Sequence, residues 1–224
     1  SLCDDSVVDF FKPKLSEMQE ISKRSGVNII SSAGFYANAT ISDTWLKQGE
    51  RAMTEYLEDT IIEGDKGCGA RPGFIKCATN TLKDGDLAPK EVLALRVCTQ
   101  AAKKYGMSLH IHTTSSLRDA TILKIADILE NKYYMDPSRV VFCHLETDCL
   151  GFFSQSAKIN VDGYDIKLPV ELIKRGFNIG IDTWGMNSDD ENIFLYTVEL
   201  RKKLLSVLVD LGYAGNITLG HDMM

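Results

Sequence analysis

At 224 residues, 44% of them hydrophobic, and with a net charge of −6, the chain can bury one sizeable core. It carries no Lys/Arg-rich run and no apolar stretch of the roughly 18–20 residues that span a bilayer, which excludes nucleic-acid and membrane partners as expectations. Six cysteines without a Cys-x-x-Cys pair exclude a disulfide scaffold or zinc ribbon and fit a reducing, cytoplasmic setting.

Short β-rich runs alternate with longer stretches of helical period from end to end, the pattern of a parallel sheet with crossover helices. In chain order the pattern predicts a helix over Lys14–Arg24, a strand over Val27–Ala33, a helix over Trp45–Glu63 and a Gly-rich turn over Gly64–Gly69. A strand over Gly73–Ala78 follows. The helix Ala88–Tyr105 opens with Ala88-Pro89-Lys90-Glu91, where proline suits the first turn, and exits at Gly106. Next come a strand over Ser108–Thr113, a helix over Leu117–Lys132 and a strand over Val140–His144. Glu146–Lys167 is irregular and too long for an ordinary βα connection, so it reads as an active-site loop or insertion. Helix Pro169–Arg175, strand Phe177–Asp182, helix Glu191–Leu211 and strand Asn216–Gly220 complete the series. This is an α/β chain of about six βα units, expected to form a single domain over residues 1–224, an incomplete (β/α)8 TIM barrel. A closed barrel needs eight strands with a helix after the last, so the expected parent is longer at both ends.

In such a barrel the catalytic groups sit at the C-terminal ends of the strands. Lys76, His112, His144, Asp182 and Asp222 all occupy that position, and successive ends lie roughly 30 to 40 residues apart, one strand plus one helix per step. Imidazoles and a carboxylate suit a divalent metal, which can lower the pKa of bound water to about 7 and so supply a nucleophile. Lysine is the odd member, because an ammonium repels a cation. Buried as a neutral amine it can add carbon dioxide to give a carbamate, an oxygen ligand. A single strand-end lysine is ordinarily an ion-pairing side chain and a single buried histidine ordinarily a core residue. Against that reading, all four histidines, His110, His112, His144 and His221, fall at these ends.

Within His110-Ile111-His112 the residue nearer the strand end is the candidate ligand, leaving His110 a supporting or structural role. His221 and Asp222 are adjacent and should face opposite ways, with Asp222 the better ligand and proton acceptor. Cys77 and Cys143 read as core. Tyr36, Asp182 and Trp184 lie just beyond strand ends, where they line a substrate pocket or serve only loop packing.

Taken together, the segments Gly26–Tyr36, Gly73–Lys76, His110–Thr113, Asp136–His144, Gly180–Asp182 and Gly220–Asp222 resemble the phosphotriesterase-like branch of the amidohydrolase superfamily, in that family's order and spacing. The resemblance implies a (β/α)8 barrel with two divalent ions, zinc foremost and manganese, cobalt or iron as alternatives. They would be bridged by a hydroxide and by a lysine carboxylated with carbon dioxide. Lys76 would be that bridge, His112 and His144 would hold one ion, and Asp222 would bind the other and accept a proton. Tyr36 matches the aromatic at the end of the family's third strand, and Asp182 an acid at the end of the seventh. The family's first strand supplies a His-x-His pair, which nothing upstream of Gly26 provides, so by this comparison the chain starts after the second strand. The resemblance also implies a homodimer. Among the family's substrates, Tyr36 favours a small-molecule lactone or carboxylic ester over an organophosphate triester, whereas Thr183 stands where lactonases often carry arginine. Two further readings stay open: a Schiff-base aldolase built on Lys76, and a degenerate barrel that binds without catalysis.

Overall fold

The computed structural model describes residues 2–4, 15–83, 85–114, 117, 119–146, 166–184 and 198–222. They belong to two compact units, Ser1–Ile111 and His112–Met224.

In the first unit, strands β1 (Leu2–Asp4), β2 (Ile29–Phe35), β3 (Phe74–Ala78) and β6 (Leu109–His112, whose last residue opens the second unit) follow one another in that order. β1 pairs with β2 and β2 with β3, both in parallel, and the register sets Gly34 opposite Lys76 and Phe35 opposite Cys77. Every residue from Ser31 to Phe35 and from Phe74 to Ala78 is buried, as expected for parallel strands covered on both faces. The helices are α1 (Leu15–Ser25), α2 (Asp43–Glu63) and α3 (Pro89–Tyr105). α2 begins where the Ser42 hydroxyl accepts the Thr44 N–H at 3.1 Å, satisfying a donor the helix itself leaves open. Ion pairs Arg96–Glu50 at 2.8 Å and Lys104–Glu58 at 2.6 Å link α3 to α2. The rings of Phe35, at the end of β2, and of Trp45 and Tyr56 of α2 meet edge-on or tilted, with centroids 5.2–5.9 Å apart.

In the second unit, β7 (Val140–Cys143), β8 (Asn178–Ile181) and β9 (Ile217–Leu219) are parallel and in that order. They are accompanied by α4 (Asp119–Asp127), α5 (Lys167–Lys174) and α6 (Val198–Asp210). Phe142 and Phe177 meet edge to face at 5.3 Å within the core. Arg175, just past α5, closes an ion pair at 2.7 Å with Asp127 and a second with Glu130.

All six expected strands are present, each within two residues of its predicted ends. The structure adds β1, only three residues long and so without a readable period, and a small antiparallel hairpin of β4 (Leu82–Lys83) and β5 (Asp86–Leu87). The expected helix Leu117–Lys132 is α4 followed by a wider π turn over Ile128–Lys132. α2 starts two residues earlier than the periodicity predicts and breaks at Gly49, whose φ is 80°. Of the irregular Glu146–Lys167 stretch, residues 147–165 lie outside the described residues, as do residues 191–197 of the expected last helix.

Gly34 is the most tightly enclosed of the described glycines of the first unit. Its φ is 152°, and a Cβ built there would stand 1.8 Å from the Lys76 carbonyl oxygen. Gly34→Ala should therefore destabilise the protein by about 3 kcal/mol or more in urea unfolding, because backbone would have to move. Gly26→Ala, where a Cβ meets nothing within 4 Å, should cost clearly less.

Candidate metal centre

The candidate residues fall in both units. In the first, Lys76 lies at the middle of β3, two residues short of the strand end where it was expected, and is 2% exposed. The Cys98 thiol donates to its carbonyl at 3.7 Å. Tyr36 directly follows β2, half-buried, two residues along from the Gly34 that faces Lys76. The His110 ring lies over Phe74, centroids 4.4 Å apart, which makes it a packed ring at the foot of β6.

The second unit gathers the rest. His112 ends β6, and its ring meets that of His144 edge to face at 4.5 Å. His144 comes one residue after β7, with a φ of 62° that is sparsely populated outside glycine. Its orientation is fixed by Asp182. One oxygen of that carboxylate accepts both the His144 backbone N–H at 2.9 Å and the ring Nδ1 at 2.6 Å. A carboxylate only accepts, so Nδ1 carries a proton, and in the neutral ring Nε2 is then the acceptor nitrogen. A carboxylate on the far nitrogen is how metal-ligating histidines are commonly oriented.

Room for Asp182 is made by two glycines. A Cβ at Gly180 would stand 2.2 Å from the Asp182 Oδ2, and one at Gly220 would stand 3.0 Å from its Cβ. Asp222 takes a φ of 45°, and its carboxylate reaches to 3.9 Å from His144 Nδ1. β9 ends at Leu219, so strand alternation does not govern His221 and Asp222, and both are exposed. That corrects the expectation that the two must face opposite ways. The Trp184 indole N–H donates to the Ile181 carbonyl at 2.8 Å and its backbone N–H to Gly220 at 3.2 Å, so its polar edge secures the turn after β8. Cys77 and Cys143 are buried, as their places beside Lys76 and His144 led us to expect.

Sequence reasoning did not single out Glu146. It is 1% exposed, and its Oε1 accepts the Asp182 N–H at 3.0 Å, the Thr183 N–H at 2.8 Å and the Thr183 hydroxyl at 2.7 Å. Fully buried Arg201 donates to the same hydroxyl at 2.9 and 3.2 Å. Burial, and then the charge of Asp182, push the Glu146 carboxyl up to about 7, against the pull of the Thr183 hydrogen bonds.

In type, the two imidazoles and the Asp222 carboxylate are a donor set for a divalent ion, and the lone pair left on His144 Nε2 fits it. Among the described residues, however, no three His, Cys, Asp or Glu side chains already converge as one metal-holding group. Asp222 approaches the His144 nitrogen that Asp182 holds.

Comparison with known proteins adds the following. The profile of the phosphotriesterase family matches residues 5–224. An N-acetyltaurine hydrolase of Xenopus tropicalis is 27% identical over 215 residues, covering 92% of this chain and 54% of that protein. An aryldialkylphosphatase of Saccharolobus solfataricus is 23% identical over 206 residues, covering 92% and 57%. The chain thus spans about half the length of the curated relatives it matches. Among solved structures, a mutant of the PTE-like lactonase of Deinococcus radiodurans superposes with a TM-score of 0.77 at 23% identity, covering 99% of this chain and 63% of that one. The phosphotriesterase homology protein of Escherichia coli, with phosphate in its active site, gives 0.75 at 19% identity, covering 99% and 67%. These neighbours share the fold, an α/β barrel of which this chain is an incomplete part.

Glu146 makes a testable pH signature in metal-free protein. Its carboxyl keeps a proton up to about 7 when folded but releases it near the ordinary 4.5 when unfolded. Between those values the folded state binds more protons, so its contribution to stability falls as pH rises and the full cost is present above 7. Glu146→Gln should flatten this slope in urea unfolding between pH 4.5 and 7, by up to about 3 kcal/mol at the alkaline end. A variant that parallels the unmodified protein across that window would contradict the assignment.

Proposed function

The chain belongs to the phosphotriesterase family, and from that premise we propose that it is part of a metal-dependent hydrolase that opens a lactone or cleaves a carboxylic ester. The observation that carries this reading is the His144 clasp. Asp182 accepts from Nδ1 and sets the ring edge to face with that of His112, and a metal would take the Nε2 side. His112, His144 and Asp222, with Lys76 as a carbamate, would hold two divalent ions, zinc by preference. When bound, such ions supply Lewis-acid polarisation of the substrate oxygen and a hydroxide at neutral pH.

The chain's own residues supply the rest. The Lys76 amine attacks carbon dioxide, forming a C–N bond and releasing a proton to solvent, and the resulting carboxylate is the ligand. Burial favours the neutral amine that this addition needs. Asp182 keeps the His144 ring from turning. Asp222, partly open to solvent, takes up the proton of the attacking water and passes it to the leaving oxygen. Tyr36, Asp182 and Trp184, each just beyond a strand, contact the substrate.

A second reading is hydrolysis of an N-acyl amide, favoured by relatives named for N-acetyltaurine. It needs the same ligands and a better-protonated leaving group. We further propose a cytoplasmic setting, consistent with Cys3, Cys68, Cys77, Cys98 and Cys143 forming no disulfide among the described residues, and a homodimer. No helix among the described residues is long and apolar enough to cross a membrane.

The test is a substrate panel on the full-length protein expressed with zinc and bicarbonate: aliphatic lactones, an aryl ester, N-acetyltaurine and a dialkyl aryl phosphate. Lactone or ester turnover is expected, and Lys76→Ala and His144→Ala should each lower it about 10³-fold and reduce bound metal measured by plasma mass spectrometry. Turnover of the acyl amide alone would select the second reading. Retained metal and activity in Lys76→Ala would sink the ligand assignment.

A further inference from the structure

We infer that Glu91 is a positioning residue that holds the loop following Tyr36 against the loop following Lys76, and thereby sets the substrate-contacting end of the first unit. Glu91 lies in the first turn of α3 and is 0% exposed. A helix's first turn attracts acids, but that preference is satisfied at the surface and gives no reason to bury one. Desolvating a carboxylate is costly unless its oxygens are hydrogen-bonded. Here both are. Oε1 accepts the Asn38 N–H at 2.9 Å, and Oε2 accepts the Asn80 and Thr81 N–H groups, each at 3.0 Å.

Those donors come from two different βα loops. Asn38 is two residues past Tyr36, and Asn80 is two past the end of β3 and four past Lys76, so the loops that follow β2 and β3 are tied to one carboxylate. A loop backbone just beyond a sheet has lost its ladder partners, and its buried N–H groups must bond elsewhere. Neighbouring Lys90 reinforces the first loop: its ammonium donates to the Ile41 carbonyl and pairs with Asp43, both at 2.6 Å. The second loop closes back on α3 through the Ala88 N–H to Thr81 carbonyl bond at 2.9 Å. Lys76 itself is fixed within β3, while Tyr36 lies outside β2, so Glu91 acts on the tyrosine more than on the lysine. The consequence is control of substrate affinity.

The inference rests on Tyr36 contacting substrate, as proposed above, and its test separates the two. Full-length protein is labelled with 3-fluorotyrosine, the Tyr36 resonance is assigned with Tyr36→Phe, and amide exchange is followed at Asn38, Asn80 and Thr81. In the unmodified protein these loop amides should exchange at least 100-fold more slowly than in an unstructured chain. Glu91→Gln keeps one oxygen and must turn its NH₂ toward the other loop. At least one loop's amides should then exchange 10-fold faster or more, and the Tyr36 resonance should move. KM for the hydrolysed substrate should rise about 10-fold, with kcat within about 3-fold and metal content unchanged. Unprotected loop amides in the unmodified protein would overturn the inference without needing any variant. So would a folded Glu91→Gln protein with unaltered amides and Tyr36 resonance, or a moved resonance with unaltered KM. If no substrate in the panel turns over, the functional reading fails, and exchange and resonance still decide the role of Glu91.

Discussion

The end of β7 and the end of β8 hold each other through two carboxylates facing in opposite directions along the chain. Asp182, after β8, receives the backbone and ring N–H groups of His144, after β7. Glu146, two residues past that histidine, receives the N–H groups of Asp182 and Thr183. Neither acid can shift without stranding buried donors of the other segment, which costs on the order of 1–3 kcal/mol for each group left unmet. The left-handed conformation of His144 and the bare Cα positions at Gly180 and Gly220 are what this arrangement requires of the backbone. Asp182 thereby fixes the plane and direction of the His144 ring, and the functional reading builds on that orientation.

The first unit solves the same problem with one acid. Where β2 and β3 leave the sheet, their next backbone N–H groups have no strand to bond to, and Glu91 of α3 collects three of them. In each unit a buried acid sits where the loops begin beyond the strands. They differ in target: the Glu146 clasp fixes a candidate ligand, whereas the Glu91 clamp fixes a loop beside a candidate substrate contact. In both cases several N–H groups from loops converge on one buried acid.

Much of the fold was legible because buried parallel strands write themselves as short apolar runs. Phe74–Ala78 and Val140–Cys143 are read directly from Phe, Ile and Val, and α3 from its Pro89 start and Gly106 end. β1 was not legible, since Leu2-Cys3-Asp4 is too short for any period and becomes a strand only through its pairing with β2. Strand-end placement brought forward Lys76, His112, His144, Asp182 and Asp222. It could not reveal that Asp182 is the partner of His144, a contact between residues 38 positions apart. Glu91 and Glu146 also escaped notice, because an acid in a helix's first turn or at a loop's start looks like an ordinary solvated residue until its burial is seen. The alternation rule failed at His221 and Asp222 for a simple reason: the strand had already ended at Leu219.

The proposed function thus rests on a chain of support running from Glu146 to Asp182 to His144, with His112 alongside, and on buried Lys76 of the other unit, proposed to act as a carbamate. The most direct measurement of its central claim is anomalous diffraction at the zinc edge from crystals of the full-length protein grown with zinc and bicarbonate. The account predicts two zinc peaks, with His112, His144 and Asp222 among the ligands and a carboxylated Lys76 side chain bound to metal. Peaks absent, or coordinated by other residues while Lys76 remains a free amine, would contradict it.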